Sequence, residues 1–391
     1  MVGSMNGTIY MPVGEVCSSI SDTYREKKNM VTLINTSDVL EGRVLNHERV
    51  PNSNLKGQFK KTFQRDDILY SEIRPQNRRF AYVDFSPIDY IASTKLMVIR
   101  AKKDVVSPKY LYYFLKNSST VAELQLLAET RSGTFPQITF SEVANLTIPV
   151  PSLAVQEVIV QTMQCLEDKI TCNEQINDNL QQQAFSVFDN LIANAENNDY
   201  TLSDYAFLNP KRTLAKNQVA RSIDMSQLST SGAFPSGWEM KPFNGGMRFT
   251  NGDTLLARIT PCLENGKTAF IDFLDDGEVA FGSTEYIVLA PKNDTPPEML
   301  YCLARYPAFV DYAVKNMNGS SGRQRVSAET VGQYRLPLFD KHSLVLFKEV
   351  VSPMFLKMRY NSLENMRLAE LRDALLPKLM SGEIDVSAVQ L

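Results

Sequence analysis

Residues 159–191 read IVQTMQCLEDKITCNEQINDNLQQQAFSVFDNL. The core positions of this stretch alternate in spacing between four and three residues without a break, and they are Ile159, Met163, Leu166, Ile170, Asn173, Asn177, Leu180, Ala184, Val187 and Leu191. Such an alternation places side chains in one stripe along a helix and is typical of a coiled-coil seam. The stretch therefore predicts a long helix that packs lengthwise against a second helix.

The same seam returns 188 residues later in the chain. Its positions are Phe347, Val351, Met354, Met358, Asn361, Asn365, Leu368, Arg372, Leu375 and Leu379. The chain thus contains a partner for its own first helix, and we expect the two helices to pack antiparallel in symmetric register.

An ordinary amphipathic helix would give a similar pattern and is its commoner cause. The coiled coil is favoured because two asparagines interrupt each seam at the same place, where an aliphatic residue is expected. Buried Asn lowers stability but fixes the register of paired helices. Symmetric register places Asn173 opposite Asn365 and Asn177 opposite Asn361, and facing amides can satisfy each other's hydrogen bonds.

The composition is that of a globular protein, with 391 residues of which 43% are hydrophobic and 22% charged. A chain of this length fits two or three domains. It has no apolar run long enough to span a membrane and no secretory leader, so we expect a cytoplasmic protein. The 5 cysteines lack CxxC spacing and there are only 2 histidines, which argues against a disulfide framework and against a metal site.

The formal net charge of −3 alone speaks weakly against nucleic-acid binding, but the charge is unevenly distributed. Residues 155–199 hold eight acids and one lysine, so the rest of the chain carries a net +4. Residues 56–80 hold seven bases and three acids, also a net +4. This basic segment is either a solvated surface or a surface that faces phosphates.

The chain divides into two units that alternate with the two helices. Residues 1–152 predict a mixed α/β unit, with short strands near 31–35, 67–73 and 93–99 and a helix over 108–115. The first helix and a polar linker occupy 153–197, the second unit 198–339, and the second helix with a tail 340–391. The second unit repeats the first at offsets between 186 and 190, for example Pro75 and Pro261, or Ser93 and Ser283, which marks a duplicated module.

Loops rich in Arg, Gln, Gly and Ser lie between the predicted elements of both units. Such loops allow close backbone approach and supply fork-shaped donors, which suit phosphates and base edges. We predict the DNA contacts Arg74, Gln76, Arg78, Arg79, Arg131, Thr134 and Gln137 in the first unit, and Arg258, Lys267, Thr284, Glu285, Arg323, Gln324 and Arg325 in the second.

Two stretches resemble parts of catalytic or cofactor-binding motifs but lack residues that these motifs require. Gly266-Lys267-Thr268 resembles the end of a P-loop, but Pro261 stands where the first glycine is required and a strand is predicted to follow. Gly245 and Gly246 are adjacent and do not form the Gly-x-Gly turn of a dinucleotide or S-adenosylmethionine site. We therefore predict a non-catalytic protein with no catalytic residues, metal or cofactor of its own.

The whole chain resembles the specificity subunit of a type I restriction–modification system. The resemblance rests on two variable α/β units alternating with two similar helices, on residues 146–157 (LTIPVPSLAVQE) entering the first helix, and on residues 375–384 (LLPKLMSGEI) leaving the second. It implies two target-recognition domains with small mixed sheets, joined by an antiparallel coiled coil. It also implies double-stranded DNA, two methyltransferase subunits carrying S-adenosylmethionine, and a restriction subunit as partners.

The mechanism that the resemblance implies is bipartite readout, in which each domain reads one half of a split target and the helices set the gap. The seam of 33 residues would extend about 50 Å, more than the roughly 34 Å of one DNA turn. A competing class is a scaffold whose two modules bind protein, or an enzyme that has lost its site. Pro353 departs from the repeat, and we expect it to start or kink the second helix later than the first.

Overall fold

The computed structural model describes residues 8–26, 28–53, 57–131, 135–195, 199–320 and 322–386. By internal contacts the chain divides into two compact units, residues 1–167 with 369–391 (unit 1) and residues 168–368 (unit 2). Both divisions fall inside the long helices. The domain boundaries drawn from the sequence remain predictions.

The described residues before the first long helix form twelve strands and four short helices. The strands are β1 (Ile9–Pro12), β2 (Cys17–Ile20), β3 (Met30–Ile34), β4 (Val39–Leu40), β5 (Arg43–Val44), β6 (Val50–Pro51), β7 (Phe59–Lys61), β8 (Ile68–Ser71), β9 (Phe80–Tyr82), β10 (Tyr90–Ser93), β11 (Leu96–Ala101) and β12 (Thr147–Val150). The helices are α1 (Val13–Val16), α2 (Pro108–Lys116), α3 (Ser118–Arg131), α4 (Phe140–Ala144) and the long α5 (Leu153–Ala193).

The described residues of the second half repeat this order without a counterpart of β4 and β5. Its strands are β13 (Tyr200–Thr201), β14 (Ala206–Leu208), β15 (Val219–Ile223), β16 (Glu239–Pro242), β17 (Met247–Phe249), β18 (Thr254–Ala257), β19 (Thr268–Phe270), β20 (Ala280–Gly282), β21 (Tyr286–Pro291) and β22 (Arg335–Leu336). Its helices are α6 (Leu202–Tyr205), α7 (Pro297–Arg305), α8 (Pro307–Lys315), α9 (Ala328–Gly332) and the long α10 (Lys341–Ser381). Single 3-10 turns occupy Thr36–Asp38, Pro75–Asn77 and Met225–Gln227.

The sheets of the two units have the same topology. The order β2-β11-β8-β9 in unit 1 matches β14-β21-β18-β19 in unit 2, and β6-β3-β10-β7 matches β16-β15-β20-β17. In each second sheet one pair is parallel, β3 with β10 and β15 with β20, and the other pairs are antiparallel. The predicted fold class, duplicated α/β units with small mixed sheets, is confirmed.

The two long helices, α5 and α10, have 41 residues each and begin 188 residues apart. In unit 2 the Asn173 Nδ2 donates to Asn365 Oδ1 at 2.8 Å, and the Asn361 Nδ2 donates to Asn177 Oδ1 at 2.8 Å. Asn173 and Asn361 are buried, and the other two are half-buried. The helices there are antiparallel, and the four amides pair as the heptad assignment predicts. Their role in fixing the register stays a prediction.

Two local predictions are wrong. The run 93–99 is not one strand, because β10 ends at Ser93 and β11 begins at Leu96, with a turn between them. The second helix does not start late, at Pro353, but at Lys341, where the Asp340 carboxylate accepts the backbone N–H of Ser343 at 2.9 Å as a cap. A kink at Pro353, the other alternative, stays a prediction. A proline removes only one helical hydrogen bond, and buried Val351 and Phe355 on either side hold the helix against its partners.

Candidate nucleic-acid interface

Three loops of unit 1 meet through backbone hydrogen bonds. The Arg74 N–H donates to Pro136 O at 3.1 Å, and the Ile138 N–H donates to Glu72 O at 2.9 Å, which joins the turn after β8 to the loop before α4. The Glu72 N–H donates to Lys95 O at 3.0 Å and adds the β10–β11 turn. We call these three loops the first loop cluster. They bring two of the predicted DNA contacts, Arg74 and Gln137, to one place.

The side chains of the first loop cluster form a small network around Lys95. The Lys95 Nζ donates to Gln137 Oε1 at 3.2 Å and lies 3.5 Å from Glu72 Oε2. The lysine side chain is half exposed, so its remaining donor capacity faces solvent. Sequence reasoning missed both Lys95 and Glu72. The signal was present, since Lys95 precedes the predicted contact Glu285 by 190 residues, within the range of the repeat offsets.

Unit 2 repeats the same backbone bonds between its own three loops. The Arg258 N–H donates to Glu285 O at 3.0 Å, and the Val326 N–H donates to Arg258 O at 3.0 Å. The Thr260 N–H donates to Gln324 O at 3.1 Å. These loops are the second loop cluster. The equivalent antiparallel bridges Ile73–Gln137 and Ile259–Arg325 anchor the two clusters in the same register.

The network of the second loop cluster has the opposite charge at two of its three positions and an arginine in place of a neutral glutamine at the third. Arg258, Glu285 and Arg325 occupy the positions of Glu72, Lys95 and Gln137.

The Arg325 guanidinium donates to the Glu285 carboxylate from Nη2 at 2.7 Å and from Nε at 2.9 Å. This bond, with the positive charge of Arg258 nearby, holds the pKa of Glu285 below its usual range. Within the described ranges, the Arg258 Nε is buried and has no hydrogen-bond partner.

Several predicted contacts use their donors within their own unit. Arg78 Nε lies 3.1 Å from the Glu41 carboxylate, and Arg131 Nη1 donates to Glu142 at 2.7 Å. Arg79 Nη1 donates to Ser37 O at 3.0 Å, and Lys267 Nζ donates to Met225 O at 2.8 Å. In this state these groups stabilise loops, and a DNA contact from any of them stays a prediction.

Other predicted contacts point away from such partners. The guanidinium groups of Arg74 and Arg323 are exposed and form no ion pair or hydrogen bond with the described part of the chain. The backbone of Arg74 is left-handed at φ 44°, and Gly322 before Arg323 is left-handed at φ 79°. Gln76 and Thr284 are exposed and Gln324 is half-buried. Thr134 lies outside the described residues.

Two further properties bear on the kind of site. Among the described residues, no three His, Cys, Asp or Glu side chains come together in a group that could hold a metal ion. No helix in the described ranges is both long and apolar enough to cross a membrane.

The fold and the paired loop clusters define a protein with two similar units, each of which joins three loops at one place. A profile of the type I restriction modification DNA specificity domain matches residues 10–182. The type I restriction enzyme HindI specificity subunit of Haemophilus influenzae is 29% identical, and the alignment covers 90% of this chain and 94% of that protein. The MjaIX specificity subunit of Methanocaldococcus jannaschii is 22% identical over 77% of this chain and 76% of its own.

The fold is also similar to that of a solved structure. The S subunit of a type I restriction–modification system from M. genitalium aligns over 97% of this chain and 98% of its own length, with a TM-score of 0.54 and 16% identity. Over most of its length the chain is therefore similar in sequence to type I restriction–modification specificity subunits.

Proposed function

We propose that this chain is the sequence-specific DNA-recognition subunit of a type I restriction–modification complex. Each unit reads one half of a bipartite target through its loop cluster, and α5 and α10 set the gap between the halves. The partners are double-stranded DNA, two methyltransferase subunits that carry S-adenosylmethionine, and a restriction subunit.

One observation carries this proposal: the two loop clusters share their backbone hydrogen bonds but present different side chains. A scaffold that holds donors at fixed places while their identity varies is what direct readout of two unlike half-sites requires. The exposed Arg74 and Arg323 supply five donors each in a planar fork, which matches the O6 and N7 acceptors of guanine or a phosphate.

A gel-shift titration tests the proposal. The full chain, assembled with the purified methyltransferase subunit, is titrated against a pool of randomised duplexes in competition with unlabelled DNA of unrelated sequence. We expect a retained fraction that is enriched in one bipartite sequence and binds about 10³-fold or more tightly than the unselected pool. Enrichment of no sequence would contradict the proposal and favour a protein-binding scaffold.

The same preparations test whether the chain alone has catalytic activity. We expect the chain alone neither to methylate nor to cleave the selected duplex, and methyl transfer to appear when the methyltransferase subunit is added. Transfer of a labelled methyl group by the highly purified chain alone would contradict this prediction.

A further inference from the structure

The turn after β8 carries three of the predicted DNA contacts, Arg74, Gln76 and Arg78, on a strained backbone. Arg74 has φ 44° and ψ 78°, and Arg78 has φ 52° and ψ 36°. Both adopt the left-handed conformation that residues with a side chain rarely take. Such a backbone persists only where the surrounding structure holds it, and strained residues of this kind cluster at ligand-binding sites.

Contacts with other parts of unit 1 hold the two ends of this turn. At its start the Arg74 N–H donates to Pro136 O at 3.1 Å. At its end the Arg78 Nη2 donates to the backbone oxygen of Lys116 at 3.4 Å, and Arg78 Nε lies 3.1 Å from the Glu41 carboxylate. The turn is therefore tied at both ends to segments that are far from it in the sequence.

The middle of the turn is held by Gln125, which lies in α3 and is 7% exposed. The Gln76 N–H donates to Gln125 Oε1 at 3.1 Å, and Gln125 Nε2 donates to Glu129 Oε1 at 2.8 Å one helical turn later. The Gln76 N–H lies in the first turn of a 3-10 helix, where backbone donors have no partner within the helix. Gln125 thus fixes the backbone of Gln76, whose side chain is exposed.

The equivalent turn of unit 2 is held in another way. Cys262 occupies the position of Gln76, and its N–H donates to Ile259 O at 2.8 Å, within the same turn. The Leu263 N–H donates to the same oxygen at 3.1 Å, and the Leu263 side chain is 1% exposed. At the offset of 189 that separates the starts of α2 and α7, Val314 occupies the equivalent position on α8, and its side chain has no acceptor.

We propose that Gln125 is a positioning residue for DNA reading by unit 1, because its carboxamide oxygen holds the turn that presents Arg74 and Gln76 to the target. This inference rests on the proposed function and adds a residue that acts through the turn rather than through a contact of its own. A bidentate contact with a base edge depends on both distance and angle. A turn that moves between conformations therefore loses discrimination between bases before it loses its attraction to phosphates.

The test compares three variants of the full chain, each assembled with the purified methyltransferase subunit and checked for folding by thermal unfolding. Gln125→Met removes the acceptor and keeps the size of the side chain. Gln125→Glu/Glu129→Gln exchanges the two side chains, so that an acceptor for the Gln76 N–H and a donor between the two positions both remain. Glu123→Met is the control, because Glu123 is exposed on α3 two residues before Gln125 and faces another direction.

Hydrogen–deuterium exchange without DNA, followed in a peptide that spans residues 73–79, reports on the bond itself. We expect Gln125→Met to speed exchange in this peptide at least about fivefold. The exchanged pair and the control should stay within about twofold of wild type. Unchanged exchange in Gln125→Met would overturn the inference, because the bond to Gln125 would then not hold the turn.

Selection from randomised duplexes reports on the reading. We expect Gln125→Met to bind the wild-type target about tenfold more weakly, to relax the positions that Arg74→Ala relaxes, and to leave the other half-site unchanged. The exchanged pair should select the wild-type sequence.

The outcomes separate this inference from the proposed function. Faster exchange in Gln125→Met with an unchanged selected sequence would show that Gln125 serves only the stability of unit 1, and would overturn the inference. Relaxed reading by the exchanged pair, which keeps the acceptor, would overturn it as well. Both results would leave the DNA-recognition proposal in place, whereas failure of the wild-type complex to enrich any sequence would overturn that proposal itself.

Discussion

The two loop clusters are alike in backbone, and two of their three equivalent positions carry opposite charges. In the first, Lys95 lies between Glu72 and Gln137, and in the second, Glu285 lies between Arg258 and Arg325. The backbone bonds that join the three loops are the same in both. The fold is therefore set by main-chain pairing, and the side chains on these loops can change without altering it. This separation is what the proposed readout of two different half-sites requires.

In a second pair of equivalent positions the side chain is the same in both units, and the residue that it pairs with differs. Asp67 and Asp253 are both buried, and each accepts a backbone N–H three residues upstream at 2.8 Å, from Gln64 and Thr250. Their arginine partners are not equivalent: Arg100 lies on β11, whereas Arg212 follows β14. Both units have a carboxylate at this position because it accepts a backbone N–H of the turn. The arginine that neutralises the carboxylate comes from a different part of the chain in each unit.

The largest effect should come from removing one of these carboxylates. Asp253→Ala leaves the Arg212 guanidinium partly buried and unpaired, and should lower the free energy of unfolding of unit 2 by about 3–5 kcal/mol. Trp238, the only tryptophan, lies in unit 2, so its fluorescence during urea unfolding reports this unit. Asp67→Ala should leave that transition unchanged.

Asp275→Ala is the matched control, because the Asp275 carboxylate is 83% exposed in its ion pair with Arg221. This carboxylate should contribute under about 1 kcal/mol to the free energy of unfolding. Equal losses for Asp253→Ala and Asp275→Ala would show that the buried carboxylate does not hold the turn.

An insertion in the linker after α5 should act on the gap rather than on the half-sites. Four residues added after Ala195 extend the path by roughly 6 Å if they are helical, nearly two base pairs. We expect the wild-type target to be bound about a hundredfold more weakly, and selection to return the same half-sites with a wider gap. Altered half-sites at an unchanged gap would show that the helices do not measure the target.

Substitutions in the second loop cluster test whether its three network positions can carry the residues of the first loop cluster. Glu285→Lys alone places three cations together and should lower the urea concentration at which unit 2 unfolds, observed through Trp238 fluorescence. The triple variant Arg258→Glu/Glu285→Lys/Arg325→Gln installs the residues of the first loop cluster and should recover most of that stability. A triple variant as unstable as the single one would mean that the surroundings, not the three positions, dictate the charges.

Helix geometry made the coiled coil predictable from the sequence. The core positions of both helices alternate strictly between spacings of four and three residues, which fixes the residues that face each other. Asn173 and Asn365 could therefore be paired without a structure. The constant offset likewise revealed the duplicated sheets. Pro353 was misjudged because its context is tertiary: burial of the flanking residues sustains the helix through a proline.

The loop residues were harder to assign from the sequence. A guanidinium that binds a carbonyl of its own fold, as in Arg79, has the same sequence signature as one that faces solvent, as in Arg74. Lys95 was overlooked because its turn lacks the Arg-Gln-Gly composition that marked the other loops, although in the repeat it occupies the position equivalent to Glu285. Long-range contacts decide these roles, and residue types alone do not encode them.

Two single substitutions test most directly whether each unit reads its own half of the target. Arg74→Ala and Arg323→Ala each remove one exposed guanidinium, one in each loop cluster, and should weaken specific binding by about 1–3 kcal/mol. The measurement is selection from randomised duplexes by each variant, assembled with the methyltransferase subunit. We expect Arg74→Ala to relax positions in one half-site only and Arg323→Ala to relax positions in the other only. Relaxation of the same positions by both variants, or a uniform loss across all sequences, would contradict the account.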